Sequence, residues 1–145
     1  MQALVQRVSS AEVLIDDALH AKINSGLLAF ICFELGDTMA VIDKFIAKMS
    51  SFRFFDDDIS ILSTNLKEID GELMIVSQFT LAAVTNKGNK ASFHNAAKTN
   101  DARALYDELI LKLDSSSINY KSGQFGANMH VSLVNTGPVT FSFNF

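Results

Sequence analysis

Apolar and polar positions change period along this chain, and each change predicts an element. Leu4, Gln6 and Val8 alternate with Val5 and Arg7, the period of a half-buried strand. Val13 and Ile15 continue it, and Asp16-Asp17 reads as a turn into a second strand, Leu19 to Ile23. Asn24-Ser25-Gly26 is a further turn signal, with the glycine free to take positive φ. The unbroken apolar run Leu27 to Phe33 predicts a strand covered on both faces. At Asp37 the period becomes helical: Val41, Ile42, Phe45, Ile46 and Met49 share a face, and Asp37 or Thr38 is placed to cap it. Phe52–Phe55 and Ile59–Leu62 read as short strands around Asp56-Asp57-Asp58. Glu72 to Leu81 begins as a buried strand and turns polar at Ser77. Thr85 to Asp101 reads as a long polar loop. A second helix is predicted from about Asp101 to Leu113, with Asn100 as its cap. The end is strand again, Val131 to Asn135 and then Val139, Phe141, Phe143 and Phe145 in alternation.

Many strands with two main helices, outside strict βαβ order, predict an α+β fold: a mixed or antiparallel sheet, or a partial barrel. No repeat or linker divides the 145 residues, so 1–145 is read as one domain. The composition, 48% hydrophobic and 19% charged with one Pro, excludes a disordered chain. A single cysteine, Cys32, excludes a disulfide framework and any zinc site needing two thiolates. No apolar run approaches the roughly 20 residues of a membrane span. MQALVQRVSS lacks the pattern of a secretory signal, so the expected location is the cytoplasm. The net charge of −4 argues against a protein that grips long stretches of phosphate backbone, but not against one that touches a nucleic acid's end.

Two segments stand out as candidate chemistry. Ser77-Gln78-Phe79-Thr80 is a buried strand turning polar at its end, either a site wall or an ordinary strand end. Asn135-Thr136-Gly137-Pro138-Val139-Thr140 puts the only proline inside strand-like sequence, which marks a bulge or a structural turn. His20, His94 and His130 have no ligand spacing, and Asp56-Asp57-Asp58 lacks the calcium-loop pattern, so no metal is expected. Lys87, Lys90 and Lys98 form a small basic loop that suits a phosphate or merely solvent. Gly123 and Gly126 do not form a dinucleotide fingerprint.

Taken together, Ser77-Gln78-Phe79-Thr80-Leu81, the run from Val131 to Thr140 and the opening Leu4-Val5-Gln6-Arg7-Val8 closely resemble the D-aminoacyl-tRNA deacylases (D-tyrosyl-tRNA deacylases). The likeness extends along the chain through Gly71-Glu72-Leu73, Lys87-Gly88, Ser92-Phe93, Ala104-Leu105-Tyr106 and Gly123 to Ala127. The resemblance implies a homodimer that hydrolyses the ester between a D-amino acid, or glycine mischarged on tRNA(Ala), and the 3′ adenosine of tRNA. It implies no cofactor, no DNA partner and no membrane. It also implies a cis Gly137-Pro138 bond entering the partner subunit's pocket, where it faces Ser77, Gln78, Phe79 and Thr80. Arg7 would hold that element, Asn135 would belong to it, and Phe125 and Met129 would pack against the adenine. Two departures from the family pattern are visible: Lys90-Ala91-Ser92-Phe93 stands where the family has Arg-Pro-Ser-Phe, and Ser60-Ile61-Leu62-Ser63 where it has Gly-Lys-Met-Asn. Two other readings of the residues remain: a small acyl-ester hydrolase using Thr80 with His94 or His130, and a non-catalytic module that binds an RNA end.

Overall fold

A computed structural model describes residues 1–86 and 88–145; Lys87 lies outside the described residues. The longest N-terminal strand, β1 (Gln2–Ile15), organises the sheet. One of its edges pairs antiparallel with β3 (Gly26–Cys32) over Gln2–Val8 and with β2 (Ala18–Ile23) over Ala11–Ile15. The other pairs along its length with the C-terminal strand β8 (His130–Asn144). Beyond β3 the sheet turns parallel, through β6 (Glu72–Ser77) to β7 (Tyr120–Ser122). The predicted turn at Asp16-Asp17 forms with both residues at positive φ (50° and 61°), as a tight hairpin requires.

The apolar run that predicted a doubly covered strand behaves as expected. Leu27, Ala29 and Ile31 of β3 face one cluster, together with Leu73 and Ile75 of β6. Over it lie helices α1 (Met39–Ser51) and α2 (Thr99–Asp114), which contribute Ile42, Phe45, Met49, Leu109 and Leu113. Leu28 of β3 and Met74 and Val76 of β6 face the opposite way, into a second cluster closed by Val8, Ala11, Val13 and Ile23. The sheet thus curls to a nearly barrel-shaped α+β domain with both helices on one face, as the pattern predicted. The terminal phenylalanines are half-buried against the chain itself: Phe145 packs edge-on against Phe45 at 5.7 Å, and Phe141 and Phe143 against Phe52 at 5.2 and 5.3 Å.

Five local expectations are corrected. Gly26 opens β3 without positive φ; it is glycine because a Cβ there would sit 1.9 Å from the Glu72 carbonyl oxygen. Ile59–Leu62 is not a strand. The Asp57 carboxylate accepts the N–H groups of Ile59 and Ser60, and that of Asp56 accepts Leu62 N–H, which fold the segment into a turn. The small sheet there is β4 (Arg53–Phe55) with β5 (Thr64–Asn65). The strand from Glu72 stops at Ser77 rather than Leu81, giving way to a 3-10 turn, Phe79–Ala82. Helix α1 has no side-chain cap: the Asp37 carboxylate is occupied by the chain's N-terminal ammonium and by Glu34 N–H. Helix α2 begins earlier than expected, so Asn100 lies inside it and Lys98 stands at the cap position.

Candidate active site

Strand β6 delivers Ser77 and Gln78 to the rim of a cavity of about 750 Å³. Gln78 N–H donates to Ile31 C=O at 2.7 Å, so the chain is still tied to β3 where it leaves the sheet. The 3-10 turn then opens at Phe79, and the N–H groups of Phe79 and Thr80, as its first residues, are not used by the turn itself. Behind this turn, the sulfur of buried Cys32 lies 3.4 Å from Phe33 C=O and 3.5 Å from Phe79 C=O, its one S–H shared between the two acceptors. In a trans peptide the C=O and the following N–H point to opposite sides. A Phe79 carbonyl held toward Cys32 therefore sends the Thr80 N–H away from it. The Gln78 side-chain amide donates to the Thr80 hydroxyl.

Phe125 and Met129, separated from Ser77 by some fifty positions of sequence, line the same cavity. They are placed from β7 and α2. Gly123 N–H donates to Ile75 C=O at 2.8 Å, and Tyr106 O–H to Gly123 C=O at 3.0 Å. Gly123 is also a contact glycine, since a Cβ there would come within 2.6 Å of the Met129 sulfur. The Tyr106 and Phe125 rings lie 5.4 Å apart. Burial holds the Tyr106 phenol neutral, its pKa pushed up to about 12, so it serves as a hydrogen-bond donor and packing surface. The cavity's wall includes Lys98, which the sequence reading placed in a basic loop, and residues that it left out as site residues: Cys32, Phe33, Phe93 and Tyr106. Phe93 and Tyr106 sit in the very Ser-Phe and Ala-Leu-Tyr segments that carried the resemblance, which was the available signal.

The remaining expected residues form a separate cluster. Asn135 pairs with Val8 and Thr140 with Gln6, so Thr136–Val139 loop out of the β1–β8 ladder. Gly137 and Pro138 are exposed at its tip, their peptide bond is cis, and neither lines the cavity of its own chain. Arg7, only 8% exposed, reaches under the loop. Its Nε donates to Thr136 C=O at 2.9 Å and its Nη1 to Phe54 C=O and the Asp56 carboxylate at 3.1 and 3.0 Å. The Leu62 N–H bond and then Arg7 hold the Asp56 carboxyl below the usual carboxylate range. Asn135 closes the loop's base, donating to Val139 C=O at 3.3 Å while its own Oδ1 accepts Val139 N–H at 2.9 Å. Thr80, by contrast, is beside the cavity without lining it, and His94 is engaged with the Ser92 hydroxyl at 3.0 Å. No His/Cys/Asp/Glu group able to hold a metal occurs among the described residues.

Burial raises the Cys32 thiol above its ordinary pKa, an effect the Ala82 N–H offsets only in part. The group is therefore a protonated thiol at neutral pH, and thiolate is the reactive form. Iodoacetamide at pH 7.5 is expected to leave Cys32 unmodified in the folded protein and to label it fully in urea, as intact mass will show.

A family profile described as D-Tyr-tRNA(Tyr) deacylase matches residues 4–144. A D-aminoacyl-tRNA deacylase of Azoarcus sp. (strain BH72) is 46% identical over 97% of this chain and 93% of its own. One from Cupriavidus metallidurans is 44% identical over 97% of this chain and 94% of its own. Among solved structures, one named c-Myc DNA Unwinding Element Binding Protein is 32% identical with a TM-score of 0.93, covering 100% of this chain and 99% of its own. Another, described as a probable eukaryotic D-amino acid tRNA deacylase, shares the fold at a TM-score of 0.83 and 17% identity, over 98% and 97% of the two chains. Sequence kinship over nearly full length, the shared fold and the cavity at the end of β6 define a hydrolase. The chain belongs to the D-Tyr-tRNA(Tyr) deacylase family, and its activity is that of a D-aminoacyl-tRNA deacylase.

Proposed function

We propose that the cavity receives the aminoacylated 3′ adenosine of tRNA, and that a second copy of the chain completes it with Gly137 and Pro138. The observation that carries this reading is the split of the residues into two groups. Ser77, Gln78 and Phe79 share a cavity with Phe125 and Met129, whereas the braced Gly137–Pro138 loop stands exposed outside it. A loop tied down by a buried arginine yet presented to solvent suits insertion into a partner. The adenine then packs against Phe125 and Met129, and the ester lies along Ser77–Thr80.

Handedness follows from shape. With the ester and the ammonium fixed, a D and an L side chain point to different places. Main-chain carbonyls of Gly137 and Pro138 accept the ammonium's hydrogen bonds and fill the volume an L side chain needs, which is selection by exclusion. Glycine has nothing to exclude, so glycyl-tRNA(Ala) is hydrolysed by the same geometry. Water attacks the ester carbon; the oxyanion that forms is held by the N–H groups of Phe79 and Thr80. The bond to the ribose 3′ oxygen breaks, that oxygen takes a proton, and D-amino acid and tRNA leave. The substrate's 2′-OH assists the water, with Gln78 holding the ribose. Neither metal nor cofactor enters this scheme. The partner is an RNA end met in the cytoplasm rather than a DNA duplex or a membrane. The net charge of −4 is consistent with an end-binder. On this reading the Lys90 loop meets acceptor-stem phosphates.

Thr80 as a nucleophile would need an adjacent base, and its hydroxyl is met by the Gln78 amide rather than a histidine. Thr80→Ala is accordingly expected to keep single-turnover hydrolysis within about tenfold of the parent, the scale of one positioned hydrogen bond. A loss of several orders of magnitude would return the acyl-ester hydrolase reading. The decisive assay measures release of D- and L-amino acid from the same charged tRNA with EDTA present. Fast D release with negligible L release is expected; binding without release would instead define a non-catalytic RNA-end module.

A further inference from the structure

Three arginines serve this acidic chain, and all three donate to its own backbone. Arg7 braces the Thr136 loop, and Arg53 donates to Ser63 C=O. The third, Arg103 on α2, is different. Its guanidinium lies over the Phe125 ring at 4.8 Å from the centroid, and its Nη2 donates to Phe125 C=O at 3.4 Å. The group is exposed, so the rest of its fork faces solvent at the cavity's edge. Asp101 and Asp107 lie within a turn or so along the same helix, yet among the described residues no carboxylate comes within 4.0 Å of Arg103. By contrast Arg7, Lys22 and Lys112 each pair with one. Lys98, which lines the cavity, is likewise exposed and without a carboxylate partner. Arg103 is therefore an unneutralised cation oriented by the Phe125 ring and carbonyl, and Lys98 is a second one in the lining of the same cavity.

We propose that Arg103 binds the phosphodiester on the 5′ side of the terminal adenosine. This rests on the reading that adenine packs at Phe125. A base seated there brings its own nucleotide's phosphate, one sugar away, to the adjoining rim. A planar guanidinium already oriented on an aromatic ring presents paired donors to such an oxyanion at little further entropic cost. The device also explains how an acidic protein selects a nucleic-acid end: charge is concentrated at one phosphate instead of spread along a duplex.

The test uses D-aminoacyl esters of three carriers: adenosine, adenosine 5′-monophosphate and tRNA. Arg103→Ala is expected to lower kcat/KM about tenfold on the two phosphate-bearing substrates, chiefly through KM, and to leave the adenosine ester within about twofold. The logarithmic salt dependence on tRNA should flatten by about 0.7, one phosphate contact to a single strand. Arg103→Lys should recover part of the loss, since charge is kept but the planar fork is not. Equal losses on all three carriers would show that Arg103 merely supports Phe125, and no loss on any would show that it does nothing there; either result overturns the inference. Failure of the parent protein to release D-amino acid from any carrier would overturn the proposed function instead.

Discussion

Gly137→Ala is expected to lower single-turnover hydrolysis of D-aminoacyl-tRNA by about a hundredfold, the penalty for displacing a positioning group by roughly an ångström. Gly137 has φ +133°, a backbone region that is essentially glycine's own. Space is short as well. A Cβ there would lie 2.8 Å from Val139 Cγ2, 2.9 Å from Arg7 Nη2 and 3.0 Å from Val139 N. Val139 N–H is bound by Asn135 and Arg7 is fixed by Thr136, Phe54 and Asp56, so none of the neighbours yields freely. The loop itself must move. Because it is exposed and outside both apolar clusters, the rest of the fold should tolerate that movement. Circular dichroism should therefore show an intact fold, with thermal stability little changed, beside the activity loss. If the variant keeps activity within threefold of the parent, the loop forms no part of the site and the shared-pocket reading falls.

That experiment also separates what the sequence disclosed from what it concealed. The strand that turns polar at Ser77 and the proline inside β8 could both be located by pattern, because a change of period and a missing backbone donor are local signals. The cavity around Ser77 is not a local feature. Ser77 and Phe125 come together only because β6 and β7 pair in parallel, bridged by Gly123 N–H to Ile75 C=O. Residue types do not encode that register. The resemblance supplied only the roles assigned to Arg7, Phe125 and Met129, and the register is seen in the fold alone. Cys32 was read only for what a single thiol rules out. Its work behind Phe79 depends on where β3 ends relative to the 3-10 turn. The misread segments have different causes. Ile59–Leu62 has a strand's composition, but Asp56 and Asp57 offer nearby acceptors and capture its N–H groups first. Asp37 looked like a helix cap and was claimed by the N-terminal ammonium 36 positions away, a partner no local pattern reveals.

Gly26→Ala should leave little folded protein, although the position sits in sequence that reads as an ordinary turn. The obstruction is main chain: the added Cβ would be 1.9 Å from Glu72 O and 2.8 Å from both Glu72 C and Glu72 N. No side chain can swing away to admit it. Relief requires separating β3 from β6 at the first pair of their parallel ladder, Gly26↔Glu72, where Glu72 N–H also donates to Ser25 C=O at 3.2 Å. The next pair, Leu27↔Leu73, is fully buried in the cluster beneath both helices, so the separation propagates into the core. A cost above about 4 kcal/mol is expected, at the far end of single-substitution effects. Against a typical total of roughly 5–15 kcal/mol that removes most of the native state. Gly36→Ala supplies the contrast. Gly36 has φ +90° and nothing within 4 Å of an added Cβ, so it bears conformational strain without a clash. About 1 kcal/mol is expected there. Urea unfolding of the two variants beside the parent distinguishes the causes. Equal midpoints would mean that backbone freedom, rather than the approach of Glu72, is what glycine provides where the third strand begins.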